Sequence, residues 1–170
     1  MPNMVEFARI HNNHPLIEYI EADIENWSTV KQWKGQISKL TAIHCVQWLK
    51  DKRRGFQNIF DLLKPFGEIA FCLVMESPLY ASILTLESNL KWNKYFKDID
   101  DFVSDDHIKK YESSRYKKML EDTGFDILYF EEEIKSDPFS SDEEYRGKLF
   151  CINLCSHISC SKPFKRRFQG

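Results

Sequence analysis

The segment that most restricts the possible folds is Glu68 to Met75 (EIAFCLVM), an almost uninterrupted apolar run. A strand covered on both faces has this composition, and such strands belong to parallel sheets with helices packed on either side. Just before it, Lys50 to Leu63 is amphipathic, with Phe56, Ile59, Phe60 and Leu63 on one face, and Pro65 and Gly67 close it. Upstream, Ile37 to Trp48 (ISKLTAIHCVQW) contains small and β-branched residues suited to a buried strand. Strand, helix and strand in that order predict a doubly wound α/β sheet.

The rest of the chain extends the same alternation. Met1 to His11 reads as a short helix stopped by Asn12 to Pro15, and Leu16 to Ala22 alternates in part like a strand that ends at Asp23. A helix is expected from Pro78 to about Leu90. Another is expected to begin at Ser104 as N-cap, to bury Ile108, Tyr111, Met119 and Leu120, and to stop at Gly124. Phe125 to Ile134 reads as a further strand and Asp142 to Ser156 as an amphipathic helix. No internal repeat or low-complexity tract interrupts the 170 residues, which suit one domain.

Charge and cysteine usage remove several function classes. The 24 basic and 26 acidic side chains leave a net charge of -2, with no field to steer the chain toward phosphate backbones or anionic lipid. The basic cluster Lys162, Lys165, Arg166 and Arg167 reads as a solvated helix end. An odd set of cysteines, with Cys45 and Cys72 in apolar runs, fits reduced thiols in a cytoplasmic protein. Cys151, Cys155, His157 and Cys160 contain no C-x-x-C pair, so no metal site is expected there. No signal peptide and no apolar stretch of membrane-spanning length is evident.

In doubly wound sheets ligands bind outside the carboxyl ends of the strands, which directs attention to the residues closing each strand. Asp23 offers a carboxylate to a ligand amine or hydroxyl, or else caps the following turn. Trp48, beside Gln47, presents a flat wall and an indole donor, or else packs under the next helix. His44 is a possible base, although a histidine inside a strand is more often a core residue. No G-x-S-x-G elbow, phosphate-binding G-x-x-x-x-G-K-[ST] loop or H-E-x-x-H pair occurs. The glycines at 35, 55, 67, 124, 147 and 170 are all isolated.

Ile43 to Trp48 (IHCVQW), Leu49 to Arg54 (LKDKRR) and Asn58 to Gly67 (NIFDLLKPFG) together resemble the class I S-adenosylmethionine-dependent methyltransferases. More narrowly, with MVEFA at Met4 to Ala8, IEYIEADI at Ile17 to Ile24, KWNKY at Lys91 to Tyr95 and LEDTGF at Leu120 to Phe125, the chain looks like the arthropod juvenile hormone acid O-methyltransferase group. The Gln-Trp pair is also similar to that of trans-aconitate methyltransferases. The resemblance implies a Rossmann-like sheet in which Asp23 and Ile24 contact the cofactor's adenine. It places Ile43 to Gln47, His44 and Cys45 among them, along the methionine moiety, and it stands Trp48, with Gln47, by the acceptor acid. Such chemistry needs no catalytic triad, because a carboxylate is already ionised at neutral pH and attacks the sulfonium methyl directly.

Residues 78–101 and 142–168 would be substrate-side or lid helices of this single, partial domain. In the family the glycine-rich cofactor loop and a ribose-holding acid lie on the first two strands. This chain is expected to lack both, and the last strand as well. Phe66 stands where these enzymes more often carry glycine. The expectation is therefore a carboxyl O-methyltransferase of the juvenile hormone acid or farnesoic acid type in truncated form. The alternatives are an inactive binding module that pairs with another chain and a trans-aconitate-type enzyme. The acceptor acid and the oligomeric state are left open.

Overall fold

The computed structural model describes residues 2–96, 98–99, 102–134, 140–144 and 164–166. Its centre is the crossover unit expected from the sequence: strand β1 (Ile37–Ile43), helix α3 (Lys52–Leu62) and strand β2 (Leu63–Cys72). The two strands are parallel, with Lys39 opposite Glu68 and Ile43 opposite Cys72. Before this unit come α1 (Pro2–His11) and the single turn α2 (Trp27–Val30). After it come α4 (Pro78–Glu87), α5 (Asp105–Ile108), α6 (Ser113–Thr123), β3 (Phe125–Asp126) and β4 (Phe164–Arg166). The sheet order is β1-β2-β4-β3, and β4 runs antiparallel to both its neighbours. A last strand was expected to be missing; the tail supplies one, three residues long, between β2 and β3.

One apolar cluster unites these elements. Phe56 and Ile59 of α3, Ile69 and Phe71 of β2, Tyr116, Met119 and Leu120 of α6, and Phe125 of β3 are all buried in it. Phe56 packs on Phe71 at 5.4 Å between ring centroids, and Phe60 meets Phe125 edge-on at 5.2 Å. These geometries add to the area buried by the rings themselves. Gly124, at φ 109°, ends α6 in the left-handed region, as its position in the sequence predicts.

Several elements depart from the sequence reading. Leu16 to Ala22 is not a strand: it pairs with no ladder among the described residues, and Arg9 and Tyr19 tie it to α1 through the Tyr19 and Asn12 carbonyls. β1 stops at Ile43 because His44 takes φ 54° and turns the chain. Nor is β1 fully buried: it lies at the end of the strand order, and Ser38, Lys39, Thr41 and Ile43 are exposed. Alternation and composition cannot distinguish an edge strand from a central one. The helix expected from Ser104 is broken into α5 and α6 by Lys110 at φ 49°. The strand after Gly124 lasts only two residues, and the acidic stretch beyond it forms no strand of the described sheet. Most of the expected 142–156 helix, with Cys151, Cys155, His157 and Cys160, lies outside the described residues.

α3 runs into β2 at Leu63, and Lys64 to Gly67 bulge out before the ladder resumes at Glu68. Phe66 sits in that bulge with φ 62° and its side chain 68% exposed. This left-handed backbone costs an ordinary residue about 1 to 2 kcal/mol and glycine almost nothing.

Candidate functional site

Two corners flank the amino-terminal end of α3. The first is the loop Asp23 to Trp27. The Glu25 amide donates to Asp23 Oδ1 at 2.9 Å, so Asp23 does cap its own turn. The Asp23 amide donates to Thr29 Oγ1 at 3.0 Å, and Asn26 caps α2 by accepting from the Ser28 amide. Two longer contacts attach this loop to α3. Asn58 Nδ2 donates to the Ile24 carbonyl at 2.7 Å, and the Asp51 amide donates to Glu25 Oε1 at 2.5 Å. Asp51 in turn caps α3 by accepting from the Arg54 amide. Between loop and helix lies a cleft of about 570 Å³ lined by Asp23, Glu25, Asn26, Trp27, Arg54 and Asn58. Carboxylate and amide groups beside one indole face suit a flat ligand that carries both donors and acceptors.

The second corner is the turn after β1. His44 and Cys45 lead into a single 3-10 turn, Val46–Trp48. The His44 amide donates to the Cys72 carbonyl at 2.7 Å, so the carboxyl ends of β1 and β2 are held together. Ile43 is 60% exposed at the end of β1, and Cys45 is exposed and donates to the Ile43 carbonyl. Gln47 is 2% exposed, and among the described residues its Oε1 has no hydrogen-bond partner. Trp48 projects outward and meets Tyr80 of α4 edge-on at 6.3 Å; Tyr80 meets His107 of α5 at 4.4 Å. Trp48 is therefore an exposed ring packed beside Tyr80.

Beneath this aromatic pair is a buried ionic network that the sequence reading missed. Lys52, 6% exposed, places Nζ 2.9 Å from Asp106 Oδ1, 2.9 Å from the Leu49 carbonyl and 3.2 Å from the Gln47 carbonyl. The Tyr116 hydroxyl donates a short hydrogen bond to Asp106 Oδ2. Burial, with the Asp106 carboxylate beside it, holds the Tyr116 hydroxyl far above the usual tyrosine range, so it stays a donor. A signal was present: Lys52, Phe56, Ile59 and Leu63 recur at helical spacing, and a lysine on an apolar stripe needs a buried acid.

His107 accepts the Ser77 amide at Nε2, 2.8 Å away, which leaves its proton on Nδ1. Burial lowers its pKa, with Glu76 and Asp106 opposing, so the neutral ring is favoured. Among the described residues His107 Nδ1 and Ser104 Oγ are buried without hydrogen-bond partners, and Ser104 holds the N-cap position of α5 without a side-chain capping bond. A small cavity of about 10 Å³ lies against Gln47, Trp48, Ser104 and Asp105. The structure thus brings Trp48, with Gln47 beside it, against Tyr80, and sets Asp23 in a separate cleft while Ile24 packs against the apolar core. Among the described residues, no group of three or more His, Cys, Asp or Glu is arranged to hold a metal. No helix of the described residues is long and apolar enough to cross a membrane.

A family model described as a methyltransferase domain matches residues 5–129. The chain is 27% identical over 122 residues to juvenile hormone acid O-methyltransferase of Bombyx mori, covering 72% of this chain and 44% of that protein. It is 25% identical over 153 residues to malonyl-(acyl-carrier protein) O-methyltransferase 2 of Ilyobacter polytropus, covering 88% of this chain and 52% of that one. It therefore spans about half the length of these curated relatives. A crystal structure from Bacillus halodurans assigned as a methyltransferase superposes with a TM-score of 0.50 at 17% identity, over 74% of this chain and 50% of that one. A complex of a methyltransferase activator with a methyltransferase from Haloferax volcanii gives 0.51 at 14%, over 73% and 47%. These last two likenesses concern the fold. A parallel β1-α3-β2 unit under a family match over most of the chain leaves one assignment: this protein belongs to the methyltransferase domain family, as a Rossmann-like, class I member.

Proposed function

We propose that this domain methylates a carboxylic acid, with S-adenosylmethionine as methyl donor. The observation that carries the reading is the pairing of two unlike corners at one end of α3: a polar cleft at Asp23 and Asn58, and an aromatic wall at Trp48 and Tyr80. The cleft's lining suits an adenine ring, since Asp23 and Glu25 can accept from its amine and Trp27 offers an indole to its flat face. The exposed chain at Ile43 to Cys45 would run beside the methionine moiety. Gln47 and Trp48 would hold the acceptor.

When bound, the cofactor supplies an activated methyl group on a sulfonium. The residues of this chain would orient the acid and exclude water, since a carboxylate is ionised at neutral pH without help. The relatives named for juvenile hormone acid and for the malonyl thioester support a carboxyl acceptor. Chain-length preference is open between farnesoic acid, juvenile hormone acid and smaller acids such as trans-aconitate.

The test is calorimetric titration of the 170-residue chain with S-adenosylhomocysteine, followed by methyl transfer from labelled S-adenosylmethionine to farnesoic acid. Micromolar binding lost in Asp23→Ala, together with labelled ester, is the expected result. A specific observation favours a second reading, an inactive binding module: all six glycines are isolated, so no glycine-rich turn is present to approach a cofactor closely. Binding without ester would support that module and sink the catalytic reading.

A further inference from the structure

The Lys52 ammonium and Trp48 are placed so that one fixes the other. The Lys52 ammonium donates to the carbonyls of Gln47 and Leu49 and forms an ion pair with one oxygen of Asp106. The two carbonyls are those of the residues on either side of Trp48. The turn leaves them free, because its own backbone bonds run from the Trp48 amide to the Cys45 carbonyl and from the Leu49 amide to the Val46 carbonyl. The indole is thus held at its backbone from both sides by a group that is 6% exposed.

A second path reaches the same side chain. Trp48 touches Tyr80, Tyr80 touches His107, and His107 follows Asp106, which binds Lys52. The contacts form a closed circuit. We propose that Lys52 is the positioning residue of the acceptor side, setting the direction of the Trp48 ring through the carbonyls that flank it. This rests on the reading of Trp48 as an acceptor wall. Lysine suits this place because its compact ammonium serves two carbonyls and a carboxylate around one point, a geometry that arginine's planar fork does not match.

The experiment uses the chain labelled with 5-fluorotryptophan and followed by fluorine NMR. Its four tryptophans give separate signals, and Trp48→Phe identifies one of them. Two variants are compared with the parent: Lys52→Arg, which keeps the charge, and Lys52→Met with Asp106→Leu, which removes the pair without leaving a buried charge alone. Both should shift or broaden the Trp48 signal while those of Trp27 and Trp33 stay in place. Decanoate, added with S-adenosylhomocysteine, should bind about tenfold more weakly to either variant because a loosened wall presents the acid poorly, while affinity for S-adenosylhomocysteine is unchanged. An unmoved Trp48 signal in either folded variant overturns the proposal. If decanoate leaves the parent's Trp48 signal untouched, the acceptor reading falls, whereas a displaced signal in the variants would still show that Lys52 sets the ring.

Discussion

At the Asp23 corner the shaping hydrogen bonds are mostly local and made by exposed groups, with Asn58 reaching across to the Ile24 carbonyl. At the Trp48 corner local bonds from Lys52 are anchored by a buried pair between residues 54 apart in sequence, with Lys52, Asp106 and Tyr116 tied in one network. The difference lies in what each corner risks. A local, solvated turn loses little when one bond is removed, because water replaces the partner. A buried charge deprived of its partner has no such substitute.

The comparison is most exposed to failure at Asp106. Asp106→Ala leaves Lys52 buried and unpaired and should cost about 3 to 5 kcal/mol in urea unfolding. A loss below about 1 kcal/mol would mean that the pair is solvated and the two corners are alike. Asn58→Ala should cost about 1 kcal/mol, the worth of one hydrogen bond, and should weaken binding of S-adenosylhomocysteine far more than it destabilises the fold. Stability falling as steeply as in Asp106→Ala would erase the distinction from the other side.

The smallest effect concerns His107. Its folded pKa lies below the unfolded one, so the unfolded chain takes up the proton first as pH falls, and stability should decline from about pH 7 downward. His107→Gln keeps an acceptor for the Ser77 amide and should flatten that slope in unfolding midpoints measured at about pH 7.5 and pH 5.5.

The central crossover unit was legible because the apolar run at Ile69 to Met75 and the stripe on α3 carry their burial in local composition. Gln47 and Trp48 were legible as a pair at a strand end, and Asp23 as a turn acid. What sequence could not show was partnership. Lys52 sits in the basic stretch LKDKRR, and only the fold brings Asp106, 54 residues away, against it. Leu16 to Ala22 alternates as a strand does, yet alternation states a preference for two faces and supplies no neighbour to pair with.

The bulge between α3 and β2 joins two residues with opposite needs. Phe66 occupies a backbone that favours glycine, while a side chain at the adjacent Gly67 would press within 2.9 Å of the Lys64 carbonyl oxygen and 3.1 Å of that of Ile37. The turn therefore has a reading frame. Exchanging Phe66 for glycine is tolerated, but deleting one residue upstream would slide Glu68 into the crowded place, and no rotamer change could move its Cβ away. At this point the chain accepts changes of letter more readily than changes of length.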